Sequence, residues 1–304
     1  MKRAAAAGLS FLLIPYIVTL AWTGRAEGMT ERRAAGERTV LLDRGGGETV
    51  LGVEEYLIGV TAAQIPVDYE KEALKAQAII ARTAVYRQME DKLQIEESAL
   101  DMDYLEQNQL ETLLGQDQAL SCYKEIRDAV YETEGQVMEW NGEYPEPLFH
   151  AVSAGKTRQG DDAHPYLVSV EEEEDCLEDG YLTVLVLSRE EMAKRLNSMA
   201  DSPELQAENV LESLQIIKKD DAGYVESIQA GTKTYRGDEI RYALGLSSPA
   251  FQFEAYEDRI RINCMGSGHG YGLDQAGARR RAREGWTAPE ILNYYYKNIV
   301  VVSE

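Results

Sequence analysis

The chain has 304 residues, with 53 Asp and Glu against 31 Lys and Arg and a net charge of −22. That length supports one large domain or two ordinary ones, and a hydrophobic content of 44% excludes a disordered acidic tail. No face can be broadly basic at this charge, which excludes nucleic acid as a partner.

Lys2 and Arg3 precede an uncharged run from Ala4 to Trp22. As a helix this run would be roughly 28 Å long, about the hydrocarbon thickness of a bilayer. Its positive end belongs on the cytoplasmic side, with the rest of the chain exported. Residues 1–26 therefore read as the anchor of a single-pass membrane protein. The alternative is a signal peptide cleaved at Gly24-Arg25-Ala26, which would leave a secreted domain. Residues 27–47 are polar and broken by Gly45-Gly46-Gly47, and read as a linker; 48–304 reads as one domain.

Within that domain, Thr49–Val53 reads as a strand and Glu54–Leu57 as a short helix. A helix is expected over Glu70–Met89, where Ala73, Leu74, Gln77, Ala78, Ala81 and Val85 recur at helical spacing, with Asp68 as its N-cap. Residues 90–120 are acidic and helical in character as far as Gly115, and 121–131 read as a further helix. Residues 135–170 read as short strands and turns, and Glu171–Asp175 as a solvated loop. Helices are expected over 188–198 and 203–216, and alternation in Tyr224–Ile228 and Arg259–Ile262 makes 224–262 β-rich. A Gly-rich loop at 266–272 leads to helices over 273–284 and 287–297, the second with Pro289 in its first turn. The mixture of elements predicts an α+β fold with helical insertions.

Two glycine motifs fail as nucleotide sites. Ala154-Gly155-Lys156-Thr157 looks like the end of a P-loop, but His150 stands where the first glycine is needed. No frame of Gly266–Gly272 gives G-x-G-x-x-G, although its alternating glycines let a backbone or ligand approach closely, with His269 among them. Cys122, Cys176 and Cys264 are far apart and make neither a disulfide framework nor a C-x-x-C site. His150, His164 and His269 have no ligand spacing. Neither a metal nor a cofactor is expected.

Three ordered blocks carry a resemblance. The first is Glu55-Tyr56-Leu57-Ile58-Gly59-Val60-Thr61-Ala62-Ala63-Gln64-Ile65-Pro66, continuing through Glu72-Ala73-Leu74-Lys75-Ala76-Gln77-Ala78 to Ala81-Arg82-Thr83. The second is Phe149–Thr157 with Pro165–Val170; the third is Gly268–Ala278 with Ile291–Tyr296. Together they resemble the stage II sporulation protein D family (SpoIID/LytB domain) across residues 48–300.

The resemblance implies a membrane-anchored lytic transglycosylase of sporulation with an α+β fold. Such a protein cleaves peptidoglycan glycan strands, already stripped of stem peptides, to 1,6-anhydro-muramyl ends during forespore engulfment. Its implied partners are the amidase, stage II sporulation protein P, and the membrane protein M of the same stage. The implied catalytic acid is a Glu in a block reading A-x-E-M-P; here that block is Ala62-Ala63-Gln64-Ile65-Pro66. An amide can hydrogen-bond a glycosidic oxygen but has no proton to give it. Asp68, Glu70 and Glu72 suit a helix start better than a replacement acid. A second departure is Asp274-Gln275-Ala276, where family members commonly read Ser-Gln-Tyr. Some members carry zinc near the segment containing His150, but here no Cys follows closely.

Three functions follow as expectations. One is a glycan-binding relative with weak or lost catalysis, in which Gln64, Arg82, Ser153, Thr157, His269 and Gln275 line the inherited groove. The others are an active lytic transglycosylase and a docking scaffold for the engulfment amidase.

Overall fold

The computed structural model describes residues 38–43 and 47–304. The anchor or signal helix expected at 1–26 lies outside the described residues, among which no helix is long and apolar enough to cross a membrane.

Strand β1 (Thr39–Asp43) pairs antiparallel with β2 (Glu48–Gly52), Asp43 opposite Glu48. Residues 39–43 are therefore not linker: Val40 and Leu42 alternate into the core. Helix α1 (Val53–Gln64) follows directly and runs well past the short helix expected there. It is buried nearly all round, so no polar face marks its length in the sequence. Helix α2 (Lys71–Met89) is the central element, packed against α1 and three of the helices described below. Its many alanines let neighbours approach closely on every side. Glu70, not Asp68, occupies its N-cap, and Asp68 is exposed.

Residues 90–106 form β3 (Gln94–Glu96), parallel to β1, and a short 3-10 turn rather than helix. Helices α3 (Gln107–Leu114) and α4 (Gln116–Glu132) are separated by Gly115, whose φ of +82° breaks the run. Strands β4 (Gln136–Glu139) and β5 (Phe149–His150) then lead out of this body.

The chain next builds a second unit with its own hydrophobic core. Strand β6 (Leu182–Ser188) runs into α5 (Arg189–Asn197), capped by Ser188 Oγ accepting from Glu191 N. The helix expected over 203–216 is absent. Asn197 clamps Leu205 in extended form, accepting from its N–H at 2.8 Å and donating to its carbonyl at 2.9 Å. Strand β7 (Leu214–Lys219) then pairs with β8 (Val225–Ala230), which pairs with β9 (Lys233–Arg236). Helix α6 (Gly237–Leu244) interrupts the segment expected to be β-rich. Strands β10 (Phe251–Tyr256) and β11 (Arg259–Met265) complete a sheet of order β10-β11-β6.

The chain then returns to the first body. Strand β12 (Leu273–Asp274) pairs parallel with β5, followed by α7 (Gln275–Arg283) and α8 (Ala288–Tyr295). The final strand, β13 (Val300–Ser303), pairs antiparallel with β4. The architecture is α+β, an α2-centred body with a β-rich insert.

Candidate functional site

Gln64 ends α1 and Gln275 opens α7, while Gln77 of α2 lies between them; Gln77 is fully buried, and Gln275, expected to line the groove, is buried too and supports Gln64 from beneath. The three amides form one directed chain. Gln275 Nε2 donates to the Gln64 carbonyl at 2.7 Å, and a carbonyl can only accept. The same Nε2 donates to Gln77 Oε1 at 3.1 Å. Gln77 Nε2 is thereby left to donate to Gln64 Oε1, at 2.9 Å. The backbone thus fixes the orientation of all three amides. Gln64 is half-buried at the surface, and its own Nε2, a donor, keeps no partner among the described residues.

Helix α7 is held in place from its first turn. Asp274 caps it, with Oδ2 accepting from Gly277 N at 3.0 Å, and Ala276 N donates to the Ala151 carbonyl at 3.1 Å. Gly272 permits this entry: its φ is +70°, and a Cβ there would lie 1.8 Å from the Leu148 carbonyl oxygen. One turn after Gln275, on the same face, Arg279 lies over the Tyr69 ring at 5.1 Å and 3.8 Å from Glu178.

Beneath this surface is a buried ionic cluster. The run Glu171–Asp175 is not simply solvated: Glu172 and Asp175 are buried, and Asp175 is 0% exposed. Arg280 Nη2 meets Glu172 at 2.9 Å and Asp175 at 2.5 Å, while Arg281 Nη2 and Tyr295 Oη each reach Glu172 Oε1 at 2.8 Å. Glu172, Asp175 and Asp274 bring their oxygens close enough to hold a cation, but the Arg280 guanidinium already supplies the charge between them. Burial, then the neighbouring charges of Asp175 and Glu172, push the Asp274 carboxyl well above its ordinary value.

Because that folded-state value is raised, the Asp274 contribution to stability is fully present below the unfolded value, near pH 4. It is lost as pH rises through the folded value. Asp274→Asn can keep the cap to Gly277 and removes the titrating proton. Urea midpoints from pH 4 upward are expected to fall less steeply for Asp274→Asn than for the native chain. Parallel pH profiles would refute this assignment.

His150 and His269 pack beside the start of α7, the end that Asp274 caps. His150 Nδ1 is 3.1 Å from the Tyr271 carbonyl, which makes it the protonated nitrogen. Burial, then His269, lower the His150 value to about 3, so the ring is neutral at pH 7. Its Nε2 has no hydrogen bond and lies 4.0 Å from Asp274 Oδ1, which is likewise unpartnered. No third donor joins His150 among the described residues, and Cys264 is in the second core, bonded to Ser248. This is not a zinc donor set. His269 Nδ1 accepts from Tyr271 N at 3.1 Å, and burial, then Arg241, lower its value to about 4.

The remaining expected site residues have structural partners. Ser153 is fully buried; its Oγ accepts from Gly155 N at 3.1 Å and its own N–H donates to Asp175 at 2.8 Å. Thr157 Oγ1 bridges the loop, donating to the Val168 carbonyl and accepting from Val170 N, both at 2.9 Å. Arg82, expected in the groove, is fully buried in a two-pronged pair with Glu54, at 2.8 and 2.5 Å, and donates to the Val130 and Gln136 carbonyls. It ties α2 to α1 and to the end of α4. Gln77, Asp274 and the Glu172–Arg280 cluster are the residues that the sequence reading left out of the site.

The family model described as Stage II sporulation protein (SpoIID) matches residues 48–140, which include Gln64, Gln77 and Arg82. Stage II sporulation protein D of Bacillus subtilis strain 168 is 30% identical over 257 residues, 81% of this chain and 73% of the relative. The protein of the same name from Bacillus amyloliquefaciens is 30% identical over 259 residues, with the same coverage. An uncharacterised protein of Brachyspira hyodysenteriae is 26% identical over 260 residues. The identity and the coverage of both chains place this protein in the stage II sporulation protein D family.

Proposed function

We propose that this family member binds peptidoglycan glycan strands at the surface around Gln64, which the buried Gln77 and Gln275 hold in place, during sporulation and cleaves them weakly or not at all. The observation that carries the reading is the directed amide chain. It leaves Gln64 with an N–H facing outward where the family resemblance implies a carboxylic acid. An N–H can donate to a sugar hydroxyl or a glycosidic oxygen. It cannot transfer a proton to the leaving oxygen, which is the step general acid catalysis supplies. Tyr69 follows Gln64 by five residues and carries Arg279 over its ring at 5.1 Å, which adds a cation for sugar hydroxyls to meet. In this reading the protein is exported and membrane-anchored, and works beside the engulfment amidase, stage II sporulation protein P, and protein M.

Retention on glycan tests this directly. Sacculi stripped of stem peptides should sediment the full chain in detergent and release little or no anhydro-muramyl product. Gln64→Ala removes one donor and should weaken retention roughly three- to tenfold, the worth of one hydrogen bond. Circular dichroism would confirm that the variant is folded. Retention that is undiminished in folded Gln64→Ala would move the glycan contact away from this surface and put a protein-docking role first.

A further inference from the structure

Strand β6 is an uncovered sheet edge. The sheet runs β10-β11-β6, so β6 has a neighbour on one side only. Gly266 N donates to the Tyr181 carbonyl at 2.7 Å, which sets the parity of the ladder. Thr183, Leu185 and Leu187 thus bond to β11, while Leu182, Val184 and Val186 turn their N–H and C=O groups to the open edge. Among the described residues no backbone hydrogen bond is made on that side. The seven residues Leu182–Ser188 contain no charge, no proline and no glycine. These are the features that usually protect an edge. Leu182 is 61% and Val184 53% exposed, two apolar side chains on one face of the strand in a strongly acidic chain.

We infer that β6 pairs antiparallel with β6 of a second copy of this chain, about a two-fold axis at Val184. The strand is its own complement in that register. Val184 faces Val184, and Leu182 faces Val186 twice, so all three outward-turned residues fall in hydrogen-bonded pairs. Charge favours the same arrangement. In this register Asp179 of each copy falls opposite Arg189 of the other, an arginine that also lies 3.2 Å from its own Glu212, whereas parallel pairing sets Asp179 against Asp179. Two three-stranded sheets would become one of six strands with no exposed apolar edge at its centre. This pairing does not depend on the glycan reading.

Cross-linking of the full chain in detergent tests it. In a Cys176→Ser background, which removes the exposed native thiol, Cys122 and Cys264 remain buried. Val184→Cys should then give a covalent dimer with a short thiol-to-thiol reagent. Tyr256→Cys, on the opposite edge strand β10, should not. Adding Leu182→Lys, at a solvent-facing position, should abolish the Val184→Cys dimer while the circular dichroism spectrum is unchanged. A monomer from Val184→Cys, or dimer in equal yield from Tyr256→Cys, would overturn the pairing.

Discussion

Gln64→Glu is expected to raise the yield of anhydro-muramyl products from stripped glycan strands by about 10²–10⁴-fold, the usual worth of a general acid. The substitution is nearly isosteric. Gln77 Nε2 would then donate to a carboxyl oxygen in place of the amide oxygen it meets now at 2.9 Å. The second carboxyl oxygen would take the place of the outward Nε2 and could carry the proton. The buried Ala62 and Ile65 beside it favour the protonated form. Mass spectrometry of digests, native chain against variant, reads the result. Equal and substantial product from both would mean that another group already supplies the proton, and the proposed loss of catalysis would be wrong. A variant that binds glycan yet makes no product would show that the surface lacks a second catalytic element besides the acid. Asp274-Gln275-Ala276 is where the family resemblance implies a second departure.

Arg280→Ala is expected to cost about 3–5 kcal/mol of folding stability, the range for removing one partner of a buried ion pair. Arg280 binds Glu172 and Asp175 at 2.9 and 2.5 Å and reaches Glu178 at 3.1 Å through its other nitrogen. Without it, Glu172 keeps Arg281 and Tyr295, but Asp175 loses its guanidinium and is left with the Ser153 N–H at 2.8 Å and the Asp274 carboxyl. Urea denaturation at pH 7 measures the loss. A shift below about 1 kcal/mol would place this cluster among ordinary surface pairs. Arg280 and Gln275 share α7, so the same variant should also weaken glycan retention.

The sequence disclosed local order better than long-range pairing. Helix α2 was legible because Ala73, Leu74, Gln77, Ala78, Ala81 and Val85 repeat at helical spacing and all are buried. Helix α8 was legible from Pro289 and the apolar Ile291, Leu292 and Tyr295. The segment 203–216 misled because Val210, Leu211 and Leu214 repeat as a helix would, although Asn197 and β8 hold it extended. The acidic run at 171–175 misled for a different reason. Its counter-charges, Arg280 and Arg281, lie more than 100 positions later, where no local pattern reveals them. In the site, the resemblance led to Gln64 and Gln275, and their link through Gln77 waited on the packing of α1, α2 and α7. Arg82 misled because a charged residue on an alanine-rich helix reads as functional until Glu54 is found beside it.

The pairing of β4 with β13 has a consequence for how the chain comes together. Val137 and Val302 lie opposite each other, so the first body is closed by its last strand. The insert between β6 and β11 is sewn by short hairpins, β7 to β8, β8 to β9 and β10 to β11. Contacts between near neighbours along the chain form quickly, and distant ones form late, because each must first overcome the entropy of a long loop. A chain threaded N-terminus first can therefore complete its insert while the surrounding body still lies open. The Gln64 site, joined to Gln275 across 211 positions of that open body, is assembled only after α7 has emerged.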